Sequence, residues 1–565
     1  MKLPELNNIS KSADYRIEFK GYNHNMYVGE DQFYDMQNLC ATNYPVMTPR
    51  AARATVRTIS GAQGLFARGK LMWAAGGRLY WDGEDVGAVS DGVKQFVGMG
   101  VYVVIFPDAL RFDTSKKTLE PLGAEWAQSE AASITLSRLD GSDYEDVTAG
   151  DSAPENPVSG DYWLDTSGDT HYLKVYSSGA WTTIPTTYAR IESAGIGASF
   201  ARGDAVTISG GPDIINGVRE IAGRTNDSIT IPCVLDKAVT VESGMTVTRD
   251  IPQMDYVCEL NNRLWGCSSA KHEVYCCKLG DPKNWNTLGT GAADAWAATI
   301  GSDGDFTGCC AFGGSVLFWK EDMLHKVFGS KSSNFQISDS PIRGVQSGCA
   351  GSLCVVNESL LYKSREGVCI YDSGNPMGVS QQLGTGSFYE ASAGALGDRY
   401  YISMRDQDDA WHLFVFNEAK GMWHREDATH ALAFAELNGQ LYYIDAADGR
   451  LMAVRGREEA GAEREEPFDW YAETGDMLVD MPDNKYLRRI QVRASVDQGA
   501  TLKIEAQYDS SGEWMTIYKR GQSRKASFTI PIVPMRCDHV RLRISGHGRS
   551  AVYAIGKEIE RGSEL

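Results

Sequence analysis

The sequence predicts an all-β protein: a β-propeller of about seven blades, with six to eight allowed, plus an inserted small-β region and a C-terminal β-sandwich. Three observations predict it. First, β-rich runs joined by tight polar or glycine turns recur, as in residues 71–83 (LMWAAGGRLYWDG), 314–329 (GSVLFWKEDMLHKVFG), 358–374 (ESLLYKSREGVCIYDSG) and 439–455 (GQLYYIDAADGRLMAVR). A lone hairpin is barely stable in water, so a recurring one needs neighbours to cover it. Second, the hairpins begin near Leu71, Val101, Arg263, Ser315, Ser359, Asp398 and Gly439, at intervals of roughly 30, 162, 52, 44, 39 and 41 residues, near the ~40–50 of propeller blades. Third, the last hundred residues alternate apolar and charged side chains, as in IQVRA at 490–494, LKIEA at 502–506 and HVRLRI at 539–544. That alternation marks sheets buried on one face. Two or three stacked β-sandwiches are the competing architecture.

In chain order, residues 1–57 read as an N-terminal arm. Pro45 and Pro49 impose extended backbone just before them, so an entry segment or the closing strand of the ring is expected, not a helix. Residues 58–123 supply two hairpins, with half-buried alternation in RLYW at 78–81 and LRFD at 110–113. Residues 124–250 are rich in Ser, Thr, Gly and Asp. Removing them shrinks the outlying interval to about 35, so they read as an insertion between blades, with compact β modules at about 151–190 and 191–249, projecting where insertions are tolerated. The propeller resumes over 251–455. Residues 456–466 are charged and too poor in apolar side chains for a core, which predicts a linker, and residues 467–565 form the sandwich.

Composition bounds the function. With 565 residues, 42% hydrophobic, 10% aromatic and 23% charged, the chain is globular with several cores. No apolar run approaches the length of a membrane span, and residues 1–12 lack the apolar block of a secretory signal, so a cytosolic site of synthesis is expected. Twelve cysteines without any CxxC, including the pairs Cys276-Cys277 and Cys309-Cys310, read mostly as small buried hydrophobes. A formal charge of −19 argues against broad adhesion to nucleic acid. From Pro467 onward 15 Lys+Arg face 13 Asp+Glu, so the acidic excess lies in the body. Such a wall is either an ordinary solvated exterior or a channel past which DNA slides without sticking.

Specific chemistry is sparse. GxxxxGK[ST], HExxH and GxSxG are absent, and the nine histidines, His412 and His424 among them, show no ligand spacing. The acidic turns at 302–305, 406–409 and 445–448 have the oxygen-rich character of calcium sites, but turns select Asp and Gly for backbone reasons. Residues 508–514 (YDSSGEW) have the outline of an Asp-box turn. Tryptophans and tyrosines suit either sugar stacking or blade packing, and no carboxylate pair stands out from 74 acids. No catalytic, cofactor-binding or metal-ligating residue is assigned, no cofactor is implied, and the chain is expected not to be an enzyme.

Several segments together resemble bacteriophage virion proteins of the tail hub, nozzle and packaged-DNA stabilisation group. They are residues 33–38 (FYDMQN) with 44–50 (YPVMTPR), 262–266 (NRLWG) leading to 279–282 (LGDP) and Trp285, and 301–305 before 317–321 (LFWKE). Residues 364–374 with Val379-Ser380, and the end of the chain at 536–546 and Gly562-Ser563, complete the set. The resemblance covers about three quarters of the chain, everything outside the insertion, whose residues 160–181 resemble small units appended to phage tail proteins. It implies a structural virion protein in a ring below the portal, at the tail hub, nozzle or head–tail connector, that extends the DNA channel and retains packaged DNA. A cyclic homo-oligomer of six or twelve copies, contact with portal, adaptor, tail and fibre proteins, passage of double-stranded DNA without sequence specificity, and assembly in the host cytoplasm follow from the same resemblance. The alternatives are a glycan-binding or glycan-cleaving propeller on a phage or cell surface, and an unrelated interaction scaffold.

Overall fold

The computed structural model describes residues 11–286, 291–456, 462–479, 485–533 and 535–561. Parts of three expectations lie outside these residues: the start of the chain (1–10), the middle of the charged segment (457–461) and Gly562-Ser563. The chain divides into two compact units, one of residues 11–94, 319–324 and 339–561, the other of residues 95–318 and 325–338.

The first unit holds three consecutive-strand antiparallel sheets and a fourth that is closed from the N-terminal side. They are Ala62–Arg68 to Glu84–Ala88, Cys354–Val356 to Met377–Gly378, Phe388–Leu396 to Met422–Asp427, and Ala431–Leu437, Gln440–Asp445 and Arg450–Ala453 with Ala54–Thr58 as its next strand. These are propeller blades. In each, the predicted hairpin is the middle pair of strands. Gln440–Asp445 and Ser359–Ser364 are buried along nearly their whole length. Outer strands such as Glu84–Ala88 have no buried residue. Middle strands covered on both faces carry continuous apolar runs, and only the less covered strands need polar positions. Trp73, Leu65, Tyr442, Ile444 and Leu451 form one inter-sheet core, and Tyr401, Val415, Leu441 and Tyr443 the next. Two-residue turns of the left-handed kind that suit strand twist join the strands, Gly76-Gly77 and Asn438-Gly439 among them.

The same unit contains two five-stranded antiparallel sheets where the C-terminal sandwich is expected. One runs Lys11–Arg16, Ser550–Arg561, Lys485–Val496, Ser523–Pro531, with Arg536–Cys537 also on Lys485–Val496; the other runs Phe33–Gln37, Asp469–Thr474, Val540–His547, Thr501–Tyr508, Met515–Arg520. Leu502, Ile504 and Ala506 are buried with Ile490, Val492 and Ala494, as the alternation requires.

The described part of the expected arm, residues 11–57, is therefore not separate: Lys11–Arg16 and Phe33–Gln37 enter the two C-terminal sheets, Ala54–Thr58 enters the last blade, and Leu39–Cys40 pairs with Thr48–Pro49. The described end of the charged segment, residues 462–466, is not a linker, because Glu463–Arg464 pairs with Ala54–Thr58 and Glu465 pairs with Arg50.

The second unit holds three more four-stranded sheets, Gln95–Met99 to Thr118–Pro121, Tyr256–Leu260 to Trp296–Thr299, and Gly308–Phe312 to Gln336–Ser340. Between the first two lies the insertion. Its strands Ala124–Ala127 and Thr246–Arg249 pair at the neck, with Ala124 opposite Arg249. Two sheets share one core of Trp126, Ile134, Ile191, Phe200, Ile208, Ile229 and Val247. The sheet Val147–Gly150, Tyr162–Asp165, Tyr172–Ser177, Ala180–Thr183 is nested within that pair, between Ala132–Ser137 and Tyr188–Glu192. A serial division into 151–190 and 191–249 thus gives way to one β module set inside another. Tyr188–Glu192 pairs with Ala132–Ser137 on one side and Ser228–Pro232 on the other, a long-range choice invisible in local pattern.

Candidate functional site: a buried charged junction

The segment 33–53 builds a charged, largely buried junction within the first unit. Strand Phe33–Gln37 pairs with Asp469–Thr474, and the chain then turns at Asn38, whose φ of 59° is tolerated by asparagine better than by most residues. Asn38 is a hub. Its backbone N–H donates to the Glu426 carbonyl at 2.7 Å, its side-chain amide donates to the Asp469 carbonyl at 2.8 Å, and its side-chain oxygen accepts from Arg50 Nε at 2.8 Å.

Arg50 and Arg53 follow Pro49 and point into the same interior, with exposures of 7% and 4%. Arg50 grips Glu465 with both terminal nitrogens, at 2.7 and 2.8 Å, and lies 4.1 Å over the Phe468 ring. This is the planar, bidentate geometry that a lysine does not reproduce. Arg53 reaches Glu426 at 2.6 Å, Asp427 at 2.7 Å, the Tyr443 hydroxyl at 3.0 Å and the Thr429 hydroxyl at 3.2 Å, while its backbone N–H donates to Glu465 at 3.0 Å. Burial works against the charge on Asp427, and the Arg53 and Arg50 guanidiniums outweigh it, holding this carboxyl below its ordinary range. Glu465 is likewise held low: burial opposes its charge and the hydrogen bonds from Arg50 prevail. Burial pushes the Tyr443 hydroxyl up to about 12, so it stays a neutral partner.

A second patch flanks the first. Asp35 accepts from the Tyr471 hydroxyl at 2.8 Å and pairs with Arg425 at 3.3 Å, and Arg425 also donates to the Met36 carbonyl. Nearby, burial lowers His424 to about 3, so this histidine is neutral in the fold. Gly21 passes so close that a Cβ there would sit 2.3 Å from the Trp423 carbonyl oxygen, at a φ of +82°. The junction is a lock: charged groups from residues 35–53 tie the early chain to strands 422–427 and 469–474 and to Glu465.

In the sequence, Asp35, Asn38 and Arg50 belong to the segments 33–38 and 44–50 and Glu465 to the charged segment 456–466, but no local pattern marks these residues, Arg53, Glu426 or Asp427 as partners. Of the acidic turns, Asp406 accepts from the N–H groups of Asp408 and Ala410 and meets His412 at 2.7 Å, and Asp448 accepts from Arg450. Their carboxylates are engaged in shaping the turns. In the YDSSGEW segment Asp509 caps the N–H groups of Asp538 and His539, and Trp514 lies under Arg543 at 4.1 Å. In the nested module Trp163 is buried edge-on to Trp181 at 5.6 Å, which is a packing role.

No protein-family model and no curated protein matches the chain. Solved structures do. BamB from Moraxella catarrhalis aligns at 10% identity over 72% of this chain and 91% of its own, with a TM-score of 0.29. An exo-β-1,3-galactanase from Phanerochaete chrysosporium aligns at 8% identity over 52% of this chain and 92% of its own, TM-score 0.21. A GH43 glycoside hydrolase aligns at 8% identity over 55% and 97%, TM-score 0.20. The expectation that the chain is not an enzyme is corrected by this comparison. Glycan-cleaving enzymes stand among the matched structures, so that exclusion does not hold, although likeness at this level assigns no activity to the chain.

Proposed function

We propose that this protein is a structural virion protein of a bacteriophage, a ring subunit of the tail hub, nozzle or head–tail connector that extends the DNA channel and retains packaged DNA. The observation that supports this reading is the lock itself. Residues 33–38 and 44–50, two of the segments of the resemblance, tie the early chain to Asp469–Thr474 and to Glu465. A wall around a pressurised genome must not peel from its ends. Here the strands Lys11–Arg16, Phe33–Gln37 and Ala54–Thr58 are each held by a backbone ladder, and the buried pair of Arg53 with Glu426 stands beside the last of them. An acidic net charge of −19 suits a surface past which DNA slides without sequence specificity.

Six or twelve copies around one axis would each present two different complementary surfaces, as a heterologous ring requires. The portal or adaptor, further tail proteins and fibres are the proposed neighbours, in a virion tail assembled in the host cytoplasm. Negative-stain imaging and mass photometry of the purified protein test this reading. Closed rings of six or twelve copies are expected. A monomer at all concentrations that binds or releases sugars would replace the proposal with a glycan-recognising or glycan-cleaving propeller.

A further inference from the structure

We propose that Cys258 and Cys309 are an oxidative cross-linking site, forming a disulfide between two neighbouring blades when the protein meets an oxidant of the small-molecule disulfide class. Cys258 lies in Tyr256–Leu260 and Cys309 in Gly308–Phe312, the first strands of successive sheets of the second unit. Their Sγ atoms are 3.1 Å apart across 51 residues of sequence. Side-chain torsions alone bring thiols this close to bonding separation, so the backbones need not travel. Around them Trp265, Cys267, Val274, Val316 and Phe318 form the core that holds the two sheets together. Both cysteines are free thiols and partly exposed as residues. Burial, and the Cys258 thiol beside it, push the Cys309 thiol well above its ordinary value, which lowers its thiolate fraction and slows its attack on an oxidant.

The chemistry balances as ordinary thiol–disulfide exchange. One cysteine loses its proton, its sulfur attacks one sulfur of the oxidant RSSR, and the S–S bond of the oxidant breaks to release RS⁻. The second cysteine, giving up its own proton, displaces the remaining RS⁻ from the mixed disulfide. Two protein thiols are oxidised, RSSR is reduced, and two RSH leave with the two protons. The product closes a 51-residue separation covalently, which stabilises by restricting the unfolded chain. Reducing surroundings keep the joint open and oxidising ones close it, so the stiffening is deferred until the folded protein leaves a reducing compartment. None of this depends on the virion reading.

The test uses the full chain treated with oxidised glutathione, followed by alkylation, digestion and non-reduced peptide mapping. A Cys258–Cys309 linked peptide is expected, with two of the twelve thiols lost to alkylation and a rise in the thermal unfolding midpoint that dithiothreitol reverses. Cys258→Ser should lose both the linked peptide and the rise, and Cys309→Ala serves if that variant does not fold. Glutathione adducts without the linked peptide, two unmodified thiols, or an equal rise in both variants would overturn the proposal.

Discussion

Arg53→Ala is the sharpest perturbation of the lock. It removes a guanidinium held at 2.6 to 3.2 Å by Glu426, Asp427, Tyr443 and Thr429, and leaves two carboxylates facing Arg50, which lies 3.9 Å from Glu426 and 3.7 Å from Asp427. Removing one partner from a buried ion pair costs about 3–5 kcal/mol, because the orphaned charge keeps its desolvation penalty. Strand Ala54–Thr58 stands next to Arg53 and pairs with Arg450–Ala453, so its opening carries the loss. At 1.4 kcal/mol per tenfold, amide exchange across these two strands should accelerate about 10²- to 4 × 10³-fold. Hydrogen exchange read by mass spectrometry reports this peptide by peptide, with Tyr102–Phe106 as internal reference. Arg53→Lys should fall between, since one ammonium cannot span both acids. Adding Glu426→Gln and Asp427→Asn to Arg53→Ala should recover more than half the loss, a coupling that separates charge burial from lost packing. Exchange within threefold of wild type at both strands, or no recovery in the triple variant, would refute the account.

Acid should act on the same region in two steps. His424 is depressed in the fold to about 3, so on going below pH 6.5 the unfolded chain takes up a proton that the folded chain refuses, and stability falls by roughly 3 kcal/mol by pH 4.5. Asp427 and Glu465, held low in the fold, contribute fully above the ordinary carboxylate range, and their contribution is lost as pH falls through their lowered values. Urea titrations at stepped pH should show His424→Leu flattening only the first step; a decline parallel to wild type there would mean that the folded imidazole is protonated. Excising residues 124–249 and joining Gly123 to Asp250 should leave a soluble protein with a cooperative melt, because Ala124 and Arg249 sit side by side at the neck. Some stability goes with the lost bonds from Arg249 to the Leu122 carbonyl and from Lys278 to the Gly203 carbonyl. Aggregation of the shortened chain with loss of near-UV circular dichroism would show the insertion to be part of the blade core.

The sequence by itself determined the blades, because a blade's middle hairpin is local: Lys70–Ala75 with Arg78–Trp81, or Gln440–Asp445 with Arg450–Ala453, are neighbours in the chain and rich in apolar side chains. Apolar runs, tight Gly and Asn turns and regular spacing all report such contacts. The C-terminal alternation was legible for the same reason, as each strand states its own buried face. Only the tertiary structure decided where residues 11–58 go, how the two insertion modules nest, and that Arg50, Arg53, Glu426, Asp427 and Glu465 meet. Those outcomes join residues up to 549 positions apart, through ladders and ion pairs. An arginine bound for a buried carboxylate reads the same in sequence as one bound for water. What separates them is the desolvation each undergoes on folding, and that is set by partners which the local pattern does not name.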